Sequence, residues 1–348
     1  MADPDSAGFS ERIQGSATPW QSDLVKRLVE LQRAKGLPHA LLINPRTAVD
    51  SRRFGWFLVS ALLCDASSRA QIPCGSCSSC QLMQANSYPD FTFTTLVDNE
   101  RTHKLNRDIK IDQIRALIHR MSLTASHRPG KFALLYPAER MNQASANSLL
   151  KTLEEPAAGT TLILLSHNPG RLPVTIRSRC QQWAVQRPAG SEAGDWLRSN
   201  GLPDDQWVDY LELAGGDAEL ALELFGATAL QSLGVFQQAL KDYLAGRSSV
   251  MTVCASVSGL SDSLLRLIVR RVLQSFVQQQ LAREATPQLR KRLQGLLDLM
   301  QKADFVLQSE ETNLILHLQL EDVLISLKQL LTAENQHGRT RQPGHTVT

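Results

Sequence analysis

The stretch His39-Ala-Leu-Leu-Ile-Asn-Pro-Arg-Thr-Ala-Val-Asp-Ser51, followed by Arg-Arg-Phe-Gly-Trp-Phe-Leu-Val-Ser-Ala-Leu-Leu63, decides how the rest of the chain is read. His39 to Ile43 is an apolar run of strand length, and Ser51 to Leu63 reads as a helix. Strand, loop and helix in that order are where a nucleotide-binding α/β protein carries its phosphate loop. Such a loop works because glycines let backbone N–H groups approach the phosphates while a lysine reaches the β- and γ-phosphates. Between Asn44 and Ser51 there is no glycine and no lysine, and Pro45 has no N–H to donate. Asp50 places negative charge where the lysine is wanted. The stretch therefore predicts a nucleotide-binding frame whose phosphate loop (Asn44, Pro45, Thr47, Asp50, Ser51) is too degenerate to hold ATP in the usual way.

Working outward, Leu24 to Leu31 has helical spacing and is closed by Gly36 and Pro38. Phe91 to Leu96 is a strand candidate, Ile111 to Leu123 an amphipathic helix, and Lys131 to Tyr136 another strand. Ala144 to Leu153 is then a helix and Thr161 to Leu165 a strand. Strands alternating with helices imply parallel pairing in an α/β layer. A motor ATPase needs a carboxylate at the end of the strand Phe132 to Leu135, to hold magnesium and polarise water. The chain continues Tyr136-Pro137-Ala138-Glu139, so the acid is displaced past a proline and reads as a solvated or helix-start carboxylate. Two independent parts of an ATP site are missing.

After about Gln186 the alternation stops and the chain becomes rich in Leu, Ala, Gln and charged residues, broken at Gly215-Gly216 and Ala245-Gly246. The fold class is α/β plus all-α. Residues 1–18 are expected to be disordered and 19–187 to form the α/β domain. Residues 188–228 should form a small helical domain, 229–334 a larger one, and 335–348 a disordered tail. A chain of 348 residues accommodates such a division. No apolar run approaches a membrane span and Met1 to Gly15 lacks a signal-peptide pattern, so a cytoplasmic location is expected. A net charge of +3 and 5% aromatic residues argue neither for broad nucleic-acid binding nor for base-stacking platforms.

Four of the six cysteines, Cys64, Cys74, Cys77 and Cys80, fall within residues 64–80. Clustering of this kind in an intracellular protein reads as metal binding before disulfides. Four thiolates satisfy tetrahedral zinc with no open position, which makes the expected site structural. A redox pair of Cys74 and Cys77 is the alternative, but it would want a thioredoxin-like context. A zinc module gripping DNA is another, yet residues 64–80 contain only one basic side chain, Arg69. Cys180 and Cys254 are isolated and read as small buried residues.

Two further stretches carry a resemblance. Asn147-Ser-Leu-Leu-Lys-Thr-Leu-Glu-Glu-Pro156 and Leu172-Pro-Val-Thr-Ile-Arg-Ser-Arg-Cys180, with the cysteine cluster, resemble the clamp-loader subunits of bacterial DNA polymerase III, of the AAA+ class. The likeness spans roughly Pro19 to Gln186 and continues more weakly to Asn313-Leu-Ile-Leu-His-Leu-Gln-Leu-Glu-Asp-Val-Leu324. It implies an AAA+ parallel-sheet domain with a zinc module, a helical lid and a helical collar. It also implies a hetero-pentamer with gamma/tau-type motor subunits and a delta-type subunit, which loads a sliding clamp onto primed DNA. Motor members keep the phosphate loop and a lid arginine, which would fall near Ala218 here, so the chain matches the non-motor branch. In the family, Arg179 reaches the ATP of a neighbouring subunit. Arg177 stands close enough to share that role; pairing of Arg179 with an acid on its own surface is the alternative that three residues alone would favour, and the matched stretch around it favours the trans role. An ATPase with an unusual site remains a further alternative. Glu154 and Glu155 are adjacent at a helix end and read as packing or interface residues. His127, His167 and His317 show no ligand-set spacing.

Overall fold

The computed structural model describes residues 17–47, 49, 51–66, 72–98, 106–126, 129–281, 294–299, 301 and 316–332. Of the segments expected to be disordered, 335–348 and all of 1–18 but its last two residues lie outside them, as do Asp50, Arg69 and His127, while Thr18 is buried as the cap of the first helix. The chain divides into two compact units: Met1–Trp196 with Asp217–Leu220, and Leu197–Gly216 with Ala221–Thr348.

In the first unit, β1 (Ala40–Asn44), β2 (Phe91–Thr94), β3 (Lys131–Leu135), β4 (Thr160–Leu165) and β5 (Gln181–Ala184) form one sheet in the order β2-β3-β4-β1-β5. Every pairing is parallel, and Thr94, Leu135, Leu164, Leu42 and Gln182 lie in one register row. Strands buried on both faces need continuous apolar runs, and β1, β3 and β4 have them. The edge strand β5 has none, so its Gln181-Gln-Trp-Ala184 sequence gives no strand signal.

Helices α1 (Pro19–Lys35), α2 (Arg52–Leu63), α3 (Ser78–Gln84), α4 (Ile111–Ser122), α5 (Gln143–Glu154), α6 (Val174–Arg177) and α7 (Gly190–Ser199) accompany the sheet. Alternation along the strands sends Leu42, Leu135 and Leu164 into one core with Ile114 and Leu117 of α4 and Leu149 and Leu153 of α5. On the other face, Gly55 of α2 meets Leu134 and Leu165. A Cβ there would fall 2.8 Å from Leu134 Cδ2, so glycine sets how closely α2 approaches the sheet. Thr18 and Gln21 start α1 with a reciprocal capping box.

The second unit contains α8 (Trp207–Leu213), most of α9 (Ala218–Gly226), α10 (Ala229–Leu244), α11 (Val250–Ala255), α12 (Asp262–Leu281) and a closing helix, Leu316–Thr332. There α10 packs on α11 and α12, and α11 on the closing helix. Gly215 and Gly246, at φ 63° and 76°, take the left-handed conformation that ends a helix. No helix among the described residues is long and apolar enough to cross a membrane.

Candidate functional site

The four clustered cysteines come together. Cys64 ends α2, Cys77 caps the start of α3, and Cys80 lies in its first turn. The four Sγ atoms all lie within 4.8 Å of one another, and those of Cys74 and Cys80 are 4.0 Å apart. Tetrahedral zinc with Zn–S bonds of about 2.3 Å would place its sulfurs about 3.8 Å apart, so the donor set fits with small adjustment. The backbone N–H groups of Cys74, Cys77 and Cys80 donate to the sulfurs of Cys64, Cys74 and Cys77, each at 3.4 Å. Such donors favour thiolate over thiol. At Cys74, hydrogen bonds from Ser76 and from the Cys77 N–H bring the thiol down to about 6. Burial pushes Cys64 and Cys80 up instead. The cluster therefore gathers four sulfurs, two of them poorly solvated as anions, and can hold a metal ion.

The phosphate loop lies at the carboxyl ends of the strands, where α/β sheets bind ligands. Here its donors are turned on the protein itself. Arg46 takes φ 56°, and its N–H donates to Asn44 Oδ1 at 2.8 Å. The Val49 N–H donates to Thr47 Oγ1 at 3.2 Å, and the Ser51 N–H to Tyr136 Oη at 3.2 Å. His167 stands 2.6 Å from the Thr47 carbonyl through Nδ1 and 2.8 Å from Tyr136 Oη through Nε2. A carbonyl can only accept, so Nδ1 carries the proton and, in the neutral ring, Nε2 accepts from the tyrosine. Thr47 Oγ1 then donates to Asp217 Oδ1 at 3.0 Å. The relay thus runs in one direction from Ser51 through Tyr136 and His167 to Thr47 and Asp217. Glu139 lies in the middle of a short 3-10 turn, Ala138–Arg140, and is turned inward: its Oε1 accepts the His167 N–H at 3.3 Å and its Oε2 is buried.

Arg179 follows α6 and stands beside the end of α5. Its Nε and Nη2 donate to Glu154 Oε1 at 3.0 and 2.6 Å, and its Nη1 to the Thr175 carbonyl at 2.9 Å. The pair is partly solvated, with side chains 35% and 51% exposed. Arg177 differs, since its Nε is buried with no hydrogen-bond partner among the described residues.

Sequence reasoning named the loop, the cysteines and Arg179 but missed Tyr136, His167 and Asp217; the pairing of Arg179 with an acid on its own surface, offered as an alternative, is present, and Glu154 is the acid. His167 follows β4 directly, as Tyr136 follows β3. Two polar residues just past the carboxyl ends of neighbouring parallel strands are the signal that was there to use.

A parallel sheet with a strand–loop–helix unit at its ligand-binding end defines a nucleotide-binding type of α/β module, here with the loop turned on the protein's own side chains. Residues 20–189 match the model of the family described as DNA polymerase III, delta subunit. Over that segment the chain is similar to this family, and its curated relatives are delta' subunits. It is 37% identical to DNA polymerase III subunit delta' of Pseudomonas aeruginosa over 212 residues, 60% of this chain and 61% of the relative. It is 33% identical to subunit delta' of Escherichia coli over 224 residues, 64% of this chain and 65% of the relative. The chain thus matches rather less than two thirds of the length of these relatives. A solved DNA polymerase III gamma subunit-related protein of Thermotoga maritima is 20% identical. It covers 89% of this chain and 99% of its own, at a TM-score of 0.48.

Proposed function

We propose that this chain is a non-hydrolysing subunit of a DNA polymerase III clamp loader, acting in the cytoplasm. It joins gamma/tau-type motor subunits and a delta-type subunit in a hetero-pentamer that places a sliding clamp on primed DNA. The observation that carries this reading is a contrast within one α/β unit. Three backbone donors of the phosphate loop, those of Arg46, Val49 and Ser51, are occupied by Asn44, Thr47 and Tyr136, while Arg179 stays partly exposed. An arginine kept at the surface of a unit that does not hold ATP is useful to ATP bound elsewhere. Supplied in trans, it offsets charge developing on the γ-phosphate, an effect worth about 10³–10⁵ in rate where such fingers act. Cys64, Cys74, Cys77 and Cys80 would hold a structural zinc ion, whose binding energy becomes folding energy for residues 64–80.

The test is the DNA- and clamp-stimulated ATPase activity of the reconstituted loader with this chain as wild type or Arg179→Ala. The isolated chain should be inactive, and the variant should assemble while one motor site loses turnover. Full turnover with Arg179→Ala would remove the trans role and leave the chain a structural end-piece.

A further inference from the structure

The acidic side chain that meets Arg179 is Glu154. Glu154 is the last residue of α5, where the helix dipole disfavours an acid. Arg179 lies just beyond the last turn of α6, whose Thr175 carbonyl it takes through Nη1. The helices α5 and α6 pack together, so one carboxylate and one helix-end carbonyl converge on a single guanidinium. A guanidinium has five N–H donors. Nε and one Nη2 hydrogen go to the same carboxylate oxygen, Glu154 Oε1, and Nη1 serves the Thr175 carbonyl and, at 3.4 Å, Ser178 Oγ. The second Nη2 hydrogen has no partner among the described residues.

The geometry points to Glu154 as a positioning residue for Arg179, one that holds the guanidinium in a fixed rotamer with part of its donor edge open to a neighbouring subunit's phosphate. This rests on the trans role of Arg179 proposed above. An exposed arginine explores many rotamers, and presenting it to a phosphate requires freezing it in one. Two hydrogen bonds to Glu154 from one side and one to Thr175 from another do this before any neighbour arrives, as preorganisation demands. As a contribution to folding such a pair is small, because both side chains are partly solvated. Its consequence lies in where the charge is held.

The test uses the reconstituted loader carrying Glu154→Gln, Glu154→Asp, Arg179→Ala, or Glu154→Gln with Arg179→Ala. Glu154→Gln should lower kcat at the affected site by about ten- to a hundredfold with KM for ATP little changed. Glu154→Asp should restore part of the loss, and the double variant should be no slower than Arg179→Ala alone. The melting temperature of the Glu154→Gln chain, measured by itself, should match wild type, which separates positioning from folding. Wild-type turnover with Glu154→Gln beside an impaired Arg179→Ala would overturn the positioning role and leave the trans arginine standing. An increase in turnover, as expected of a carboxylate that only competes with phosphate, would overturn it too. So would losses that multiply in the double variant. If both single variants ran at full rate, the trans role itself would fail.

Discussion

The phosphate loop and the cysteine module are both loops leading to or from α2, both rich in polar groups, and they resolve their polarity in opposite ways. In the loop, donors and acceptors are mixed. Asn44, Thr47, Tyr136, His167 and Asp217 satisfy one another and the backbone, in a chain of bonds between 2.6 and 3.2 Å. In the cysteine module the gathered side chains are all of one kind. Four sulfurs face one another within 4.8 Å, three of them receive backbone N–H donors, and none can neutralise another. A polar cluster becomes a binding site when its members cannot complete each other. By that criterion the module that looks peripheral is the one able to take a ligand, and the loop at the carboxyl ends of the strands is turned on its own side chains.

The largest expected effect comes from the module. The protein should purify with one zinc ion per chain by elemental analysis, and Cys74→Ser or chelation should remove it. Loss of the ion should cost on the order of several kcal/mol in stability, read as a marked fall in melting temperature. A chain that purified metal-free and melted identically with and without chelator would break the comparison, because the four thiols would then be complete by themselves.

The next effect lies beside the closed loop. Glu219 accepts from Gln21 Nε2 at 2.6 Å, in the segment that also carries Asp217. Burial first, then the charge of Asp217, pushes its carboxyl up from 4.5 to about 7. A raised acid binds its proton more tightly folded than unfolded. Its penalty is therefore absent below the unfolded value, grows as pH rises from 4.5 towards 7, and is complete above that. Glu219→Gln removes the charge while keeping an oxygen for Gln21. It should leave stability near pH 4 unchanged and raise it at pH 8 by at most on the order of 3 kcal/mol. Urea titrations at the two pH values measure this. An equal change at both would mean that ionisation at Glu219 is not what matters there.

What could be read from the sequence follows from how local each feature is. The inner strands β1, β3 and β4 were legible because burial on both faces demands apolar runs, whereas β5 at the edge carries Gln181 and Gln182 and was not. The cysteines were legible because three of them fall at three-residue steps. The loss of the phosphate loop could be read from the residues missing between Asn44 and Ser51. What replaces it could not, because the register of parallel strands brings Tyr136 to a residue 85 positions away and His167 to one 120 positions away. Glu154 read as one of two helix-end acids for the same reason, since its partner stands 25 residues on.

The smallest effect probes the relay itself. Tyr136→Phe keeps the ring and its edge-on packing against His167, whose centroid lies 5.5 Å away. It removes only the hydroxyl that joins the Ser51 N–H to His167 Nε2. Replacing one member of a buried set leaves its partners unsatisfied, so the cost should be about 1–2 kcal/mol of stability. No nucleotide affinity should be gained, because Asn44 and Thr47 still occupy the Arg46 and Val49 N–H groups and no lysine is present to meet a phosphate. Thermal melts with and without millimolar ATP read both halves at once. A variant destabilised as expected and insensitive to ATP places the closure of the loop in its whole set of internal bonds. A melting temperature raised by ATP in Tyr136→Phe alone would mean that one tyrosine hydroxyl had been keeping a working phosphate loop shut.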